Sequence, residues 1–406
     1  MGSVRYFTCK RPEDMPSRNE WRVQIRAFQK MEGFAGPVRG ETGIPGLRID
    51  FNLGLRLVVP EGSWHVVISD YDTETVFFDD DVSDVQLVSV EKYYVHWSVE
   101  VSRDGVPVFS HVFDPEGQEV IFFCCHKALG DALAFLPYAK LFRERHSCRL
   151  CCKVPDTLQE FVAHLYPELP QVERATDDTY AVFYLGAWFS FMGMPVDLRA
   201  FPLAELAGPM VGLSRPAPMP PFAPTRPRLF PERYVCIAVQ ASTLSKGWHY
   251  PKGWERVVEH LKNLGYRVFC IDRHAYQREL DYETRRPENA EDMTGDYSIM
   301  DRANMLYYAD FFIGLSSGLA WVAKAAGCPV VLISGMTQTW NEFHTPYRII
   351  NRQVCNGCFN DVRVRFRDSF CPYHEGTERE LECSKRISPR QVIAAIEELR
   401  KAGRNE

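Results

Sequence analysis

The chain is 406 residues long, 46% hydrophobic and 25% charged, a globular composition with room, at ~150 residues per domain, for two or three domains. A formal net charge of −6 excludes broad electrostatic capture of nucleic acid, and no run of ~18 uncharged apolar residues is available to span a membrane. The first twenty residues break quickly into charge and proline without an apolar signal core, so a cytoplasmic location is expected.

Residues 1–117 read as an N-terminal β domain. Apolar runs at 55–59, 64–69, 75–78, 85–90, 93–101 and 108–112 alternate with turn signals such as Pro60-Glu61-Gly62 and Asp104-Gly105. Strands this short and this regularly spaced predict a small antiparallel barrel or sandwich, suited to scaffolding, oligomer contact or acceptor binding.

At Glu119 the pattern changes. EVIFFCC, residues 119–125, is continuously apolar, as in a strand buried on both faces. A helical period over 132–145, strand-like runs at 149–154 and 180–185, and the segment 157–166 between them predict a Rossmann-like lobe over 118–215. The proline-rich stretch at 214–231 reads as an extended linker. Strands at 234–239, 267–271, 311–313 and 329–333, with helices at 252–264, 298–308 and 318–326, predict a second lobe over 216–350. Residues 351–386 are a cysteine-bearing finger, and 387–406 an amphipathic helix begun by Ser388-Pro389. The expected fold is α/β, with two Rossmann-like lobes enclosing a ligand cleft.

Each lobe has one conspicuous strand–loop–helix junction. In the first, His126-Lys127-Ala128-Leu129-Gly130-Asp131 follows the 119–125 strand and puts Asp131 near a helix start, where it acts either in chemistry or as a plain cap. In the second, Gly314-Leu315-Ser316-Ser317-Gly318-Leu319 opens a helix with free backbone N–H groups suited to a diphosphate, although such a loop also serves as an ordinary cap. QASTLSK, residues 240–246, adds the hydroxyls of Ser242 and Thr243 and the ammonium of Lys246, which is otherwise a solvated lysine.

These residues carry a resemblance. Gly130-Asp131-Ala132-Leu133 with Leu136-Pro137 resembles the opening motif of the ADP-heptose:LPS heptosyltransferase superfamily; Lys246-Gly247-Trp248 with Pro251 and Trp254 resembles its second motif. The run from Asp310 through Gly314, Ser317-Gly318-Leu319 and Ala323 to Pro329 is similar to its nucleotide-binding signature, so the three motifs span about 119–345 in order. The resemblance implies a GT-B fold and an inverting transfer from ADP-heptose. Asp131 then matches the general base, Lys246 the diphosphate lysine, and Ser317, Gly318 and Leu319 the diphosphate loop. Ser316 and Trp321 depart from the Asp and His usual in the lipopolysaccharide enzymes, which argues for another acceptor.

Cys355-x2-Cys358, followed by Cys371 and Cys383, has the spacing of a four-thiolate metal site, since a CxxC turn through Asn356-Gly357 lets two sulfurs converge. Spacing alone leaves zinc and iron open. The remaining cysteines, including Cys124, Cys125, Cys236 and Cys270 in apolar runs and Cys148, Cys151 and Cys152 in CRLCC, read as core or surface thiols. With the finger and the β domain added, the resemblance narrows to the bacterial autotransporter heptosyltransferases. It implies iron (zinc second), a ring-shaped homo-oligomer with a dodecamer as precedent, and serines of an autotransporter adhesin passenger domain as acceptors. The competing readings are another GT-B enzyme with a different donor or acceptor, and a non-catalytic metal-stapled adaptor. VRVRFR, residues 362–367, reads as the polar face of a β-hairpin or a subunit contact rather than a nucleic-acid site.

Overall fold

The computed structural model describes residues 3–11, 17–124, 128–186, 196–280, 282–367 and 369–403, so the Cys125, His126 and Lys127 readings lie outside the described residues. Strand β1 (Ser3–Phe7) leads to helix α1 (Arg18–Ala35), then β2 (Arg48–Asn52), β3 (Arg56–Val59), β4 (Trp64–Asp70), β5 (Val76–Val82), β6 (Val85–Ser89), β7 (Trp97–Arg103) and β8 (Val106–Val112). The first lobe adds β9 (Glu119–Phe123), α2 (Leu129–Phe135), α3 (Tyr138–His146), β10 (Arg149–Lys153), α4 (Gln159–Leu165), β11 (Thr179–Tyr184) and α5 (Ala207–Val211).

The strand-rich expectation for the N-terminal segment matches six observed strands, but α1, β1 and β2 went unread. Helix α1 starts with a reciprocal capping box between Ser17 and Glu20 and buries Phe28, Met31 and Ala35. Four strands form an antiparallel meander in the order β5-β4-β7-β8. The other four join the first lobe's strands in one seven-stranded sheet, β1-β6-β3-β2-β11-β9-β10. The join is a parallel pairing of Phe51 with Ala181 and Asn52 with Val182. Beneath α1, the Arg56 guanidinium binds the Asp50 carboxylate at 2.6 and 2.8 Å, both residues being buried. Lys92, also buried, donates to the carbonyls of Leu53 and Ser89 at 2.7 and 2.8 Å; burial pushes its ammonium down to about 8.

The helix expected over 132–145 is two helices, because Pro137 offers no backbone N–H to continue the ladder. No regular element occupies 214–231, as the proline content predicts. The second lobe comprises β12 (Tyr234–Ile237), α6 (Gly253–Asn263), β13 (Arg267–Cys270), a hairpin of β14 (Tyr276–Glu279) and β15 (Tyr282–Arg285), β16 (Glu291–Asp292), α7 (Ile299–Tyr307), β17 (Phe312–Leu315), α8 (Gly318–Ala325), β18 (Val330–Ile333) and β19 (Arg348–Ile349). Its sheet runs β16-β13-β12-β17-β18-β19, with every pairing parallel. That is the doubly wound order 3-2-1-4-5-6, in which the chain changes direction between the first and fourth strands and leaves a crevice at their carboxyl ends.

The finger follows, with the short α9 (Glu382–Lys385), and α10 (Pro389–Ala402) closes against α6. VRVRFR is not a hairpin strand: an isolated bridge joins Arg367 to Phe370, while Arg363 pairs with Asp361 and Arg367 with Glu375. Arg199 fastens the finger to the segment before the linker by donating to the carbonyls of Asp361, Val362 and Val364 at 3.3, 3.0 and 2.6 Å. Among the described residues no helix is long and apolar enough to cross a membrane.

Candidate active site and metal centre

Two of the predicted loops, both in the second lobe, lie side by side at the switch point. The QASTLSK turn leaves the end of β12, and the Ser316–Ser317 loop leaves the end of β17, its direct neighbour in the sheet. Helix α2 of the first lobe packs on α8 across the cleft. Two glycines make this approach possible. A Cβ on Gly130 would stand 2.7 Å from Cδ1 of Trp321, and one on Gly318 would stand 2.8 Å from Cβ of Leu129. Trp321 is buried and meets Phe343 edge-on, so it serves this lobe contact. Gly130→Ala is expected to force the helices apart at a cost of about 1–3 kcal/mol. Differential scanning calorimetry should show the lower melting temperature, together with weaker activity.

Asp131 lies in the first turn of α2, whose N-cap is Ala128. Burial pushes the Asp131 carboxyl up to about 6, and the positive charge of Lys246 partly offsets this. A carboxylate desolvated beside a cation is in the state a proton acceptor needs near neutral pH.

Lys246 ends a 3-10 turn, residues Leu244–Lys246, and its Nζ donates to Oγ of Ser242 at 3.3 Å. Thr243 Oγ1 lies 3.3 Å from Ser245 Oγ. The predicted hydroxyls and ammonium therefore share one turn. In the opposing loop, Ser317 is the N-cap of α8, and its Oγ is buried with no hydrogen-bond partner among the described residues. A buried hydroxyl without a partner beside the first N–H groups of a helix fits an anionic ligand. Ser316 points elsewhere: its hydroxyl bonds the buried carboxylate of Glu342.

The sequence reading missed two buried carboxylates. Glu342 accepts from Ser316, from Thr337 at 3.0 Å and from Asn341 at 3.3 Å, and it pairs with Arg348, so it braces the Ser316–Ser317 loop. Asp272 accepts from the backbone N–H groups of Val239 and Gln240 at 2.7 and 3.2 Å and shapes the start of the QASTLSK turn; burial raises its carboxyl to about 6 despite these bonds. Only the strand-end position after β13 could have pointed to Asp272.

The four predicted cysteines line one cavity with Ser245, His374 and Glu382. None is in a disulfide; Cys358, Cys371 and Cys383 are buried and Cys355 partly so. Burial pushes the Cys358 thiol up to about 12, helped by Cys355 and Cys371, while backbone N–H groups of Cys358 and Phe359 act against the rise. Cys383 is raised too, by burial and then by Cys358, Cys355 and Cys371, with the Ser384 N–H opposing. Mutual proximity that penalises thiolates is the environment a bound cation stabilises.

A second ligand-type group shares this place. Cys355, His374 and Glu382 offer atoms within 4.8 Å of one another. Glu382, however, is already engaged, accepting from Arg379 Nε at 3.1 Å and from the Cys355 backbone at 3.2 Å; its bond to Arg379 holds it below the usual carboxylate range. The donor set better suited to a soft transition metal is the four thiols.

Two facing Rossmann-like lobes with a polar cleft at the switch point are the architecture of a GT-B glycosyltransferase. The family model described as glycosyltransferase TibC, N-terminal domain, matches residues 43–105, and that of glycosyltransferase family 9 (heptosyltransferase) matches 213–369. The chain belongs to the autotransporter heptosyltransferase family. It is 37% identical over 373 residues to the autotransporter heptosyltransferase BAHTCr of Citrobacter rodentium, covering 88% of this chain and 90% of that one. It is 37% identical over 380 residues to TibC of Escherichia coli, covering 89% and 92%. The crystal structure of TibC, a dodecameric iron-containing heptosyltransferase in complex with ADP-D-beta-D-heptose, superposes with a TM-score of 0.85 at 36% identity, over 90% of this chain and 99% of that one. The inactive autotransporter heptosyltransferase BimC of Burkholderia thailandensis is 35% identical over 386 residues, covering 90% and 89%.

Proposed function

We propose that this protein transfers heptose from ADP-heptose to serine hydroxyls of a bacterial autotransporter adhesin, with inversion at the sugar carbon. The observation that carries the reading is Asp131, a half-buried residue at the lobe interface whose carboxyl desolvation raises to about 6 beside Lys246. Asp131 takes the acceptor hydroxyl proton as its oxygen bonds the anomeric carbon, and the bond from that carbon to the diphosphate oxygen breaks on the opposite face. The leaving ADP keeps the electron pair, and Lys246 with Ser242, Thr243 and the amides of Ser317, Gly318 and Leu319 stabilises its charge. Ser316, bonded to Glu342, holds the loop in shape.

Cys355, Cys358, Cys371 and Cys383 are assigned as ligands of one iron per subunit, with zinc second. The metal supplies a cross-link to a finger that has almost no core of its own. A homo-oligomeric ring and a cytoplasmic location complete the reading, in keeping with the dodecameric relative and the cysteine-rich chain.

Intact-mass analysis of an adhesin passenger fragment co-expressed with this protein tests the activity. Heptosyl additions are expected in a strain making ADP-heptose and not in one lacking it; an unchanged mass in both strains overturns the reading. The same experiment tests the non-catalytic alternative, which the relative BimC keeps in view and against which Asp131 and Lys246 at the cleft stand. For donor choice, thermal-shift assays should show stabilisation by ADP-heptose over UDP- and GDP-sugars. At 100 times its Kd a ligand adds about 2.7 kcal/mol.

A further inference from the structure

The metal finger and the Lys246 turn are built onto each other. Ser384 follows Cys383 directly and is 2% exposed. Its hydroxyl donates to the Gly247 carbonyl at 2.5 Å and accepts from the His249 N–H at 2.9 Å, clasping the chain immediately after Lys246. The backbone N–H of the same residue donates to the carbonyl of Leu381, in the finger, at 3.0 Å. One residue, covalently next to Cys383, thus ties the finger to the lysine's own segment.

Further contacts run the same way. Leu244, the first residue of the Lys246 turn, packs with Cys371 and Leu381 of the finger. Ser245 lines the thiol cavity. Trp248 Nε1 donates to the Ile387 carbonyl at 2.8 Å. Under Cys383 the backbone is clamped by Gly335, where a Cβ would lie 2.6 Å from the Cys383 carbonyl oxygen. Cys383 therefore has little room to shift toward Gly335.

We propose that the finger is a positioning device for donor binding, with Ser384 as the positioning residue that sets Lys246 through Gly247 and His249. The proposal rests on the reading of Lys246 as a diphosphate ligand. It makes donor affinity depend on the state of the thiol centre.

The test is calorimetric ADP binding on the purified full chain, with metal content and melting temperature measured on the same samples. S384A is expected to weaken ADP binding about tenfold, the effect of ~1.4 kcal/mol, while keeping its metal. In transfer assays its KM for the donor should rise while kcat holds, a split that lost stability alone does not produce. S384A binding ADP like the wild type, with K246A weakened, overturns the coupling and leaves the lysine reading standing. K246A binding ADP like the wild type overturns both. Should S384A lose its metal, L244A reads the same coupling with Ser384 and the thiols intact: weaker ADP binding with metal retained supports the proposal, and unchanged binding overturns it.

Discussion

Replacing Asp131 with alanine is expected to lower the transfer rate by ~10²–10⁴-fold, the contribution of a positioned general base, while ADP-heptose still binds. Single-turnover measurements at saturating donor separate the two effects; normal turnover would show the base assignment to be wrong. In the wild type, kcat/KM should rise with pH through an apparent pKa near 6, because the carboxylate is the working form. The same group predicts an opposite trend in stability. The folded carboxyl holds its proton up to about 6, against 3.8 for an ordinary aspartate. Between those values the folded state binds more protons, so stability falls as pH rises through the window and the cost is fully present above it. Asp131→Asn, which never ionises, should therefore melt higher than the wild type at pH 7.5, by on the order of 1 kcal/mol. The difference should vanish below the unfolded carboxylate's pKa. An inactive variant that is more stable marks a group kept for chemistry at the expense of the fold.

Cys358→Ser is expected to remove the metal and to destabilise the second lobe by ~4 kcal/mol or more, a fall on the order of 10 °C in melting temperature. The reason lies in how little apolar packing the finger has. Beyond the buried Cys358, Cys371 and Cys383, its apolar anchor is Leu381 against Leu244. Elemental analysis and calorimetry check this expectation. Zinc in protein made with ample iron would overturn the iron assignment and leave the transferase reading intact. A variant that keeps its melting temperature after losing the metal would overturn the staple.

The second lobe was legible because its signals are local. Strands such as Tyr234–Ile237 and Phe312–Leu315 are continuous apolar runs, and each ends in a loop whose residue types announce a ligand. The same locality made the cysteine spacing readable. Helix α1 was missed because only a narrow stripe, Phe28, Met31 and Ala35, is buried, although the Ser17–Glu20 capping box was there to be read. The break between α2 and α3 was also visible, in Pro137. Glu342 was not legible: its partner Ser316 is 26 residues away in the chain, and no local pattern distinguishes a buried carboxylate from a surface one. The arginines of VRVRFR alternate as a strand's would, but their ion pairs to Asp361 and Glu375 hold the chain in turns. Pairing partners were equally hidden, since period-2 patterning states which face is buried and never which strand lies alongside.

The parallel contact between β2 and β11 sets a timetable for the ribosome. Strand Arg48–Asn52 leaves the exit tunnel about 130 residues ahead of Thr179–Tyr184, an interval on the order of ten seconds at ~5–20 residues per second. Through that interval the edge of β2 that will meet Ala181 and Val182 has no partner, and its Phe51 is an apolar side chain awaiting burial. The N-terminal segment therefore cannot finish folding before the first lobe has been made. A nascent chain halted near residue 117 presents an open strand edge to its neighbours, so in the cell this segment of the protein depends on uninterrupted synthesis or on being shielded until β11 arrives.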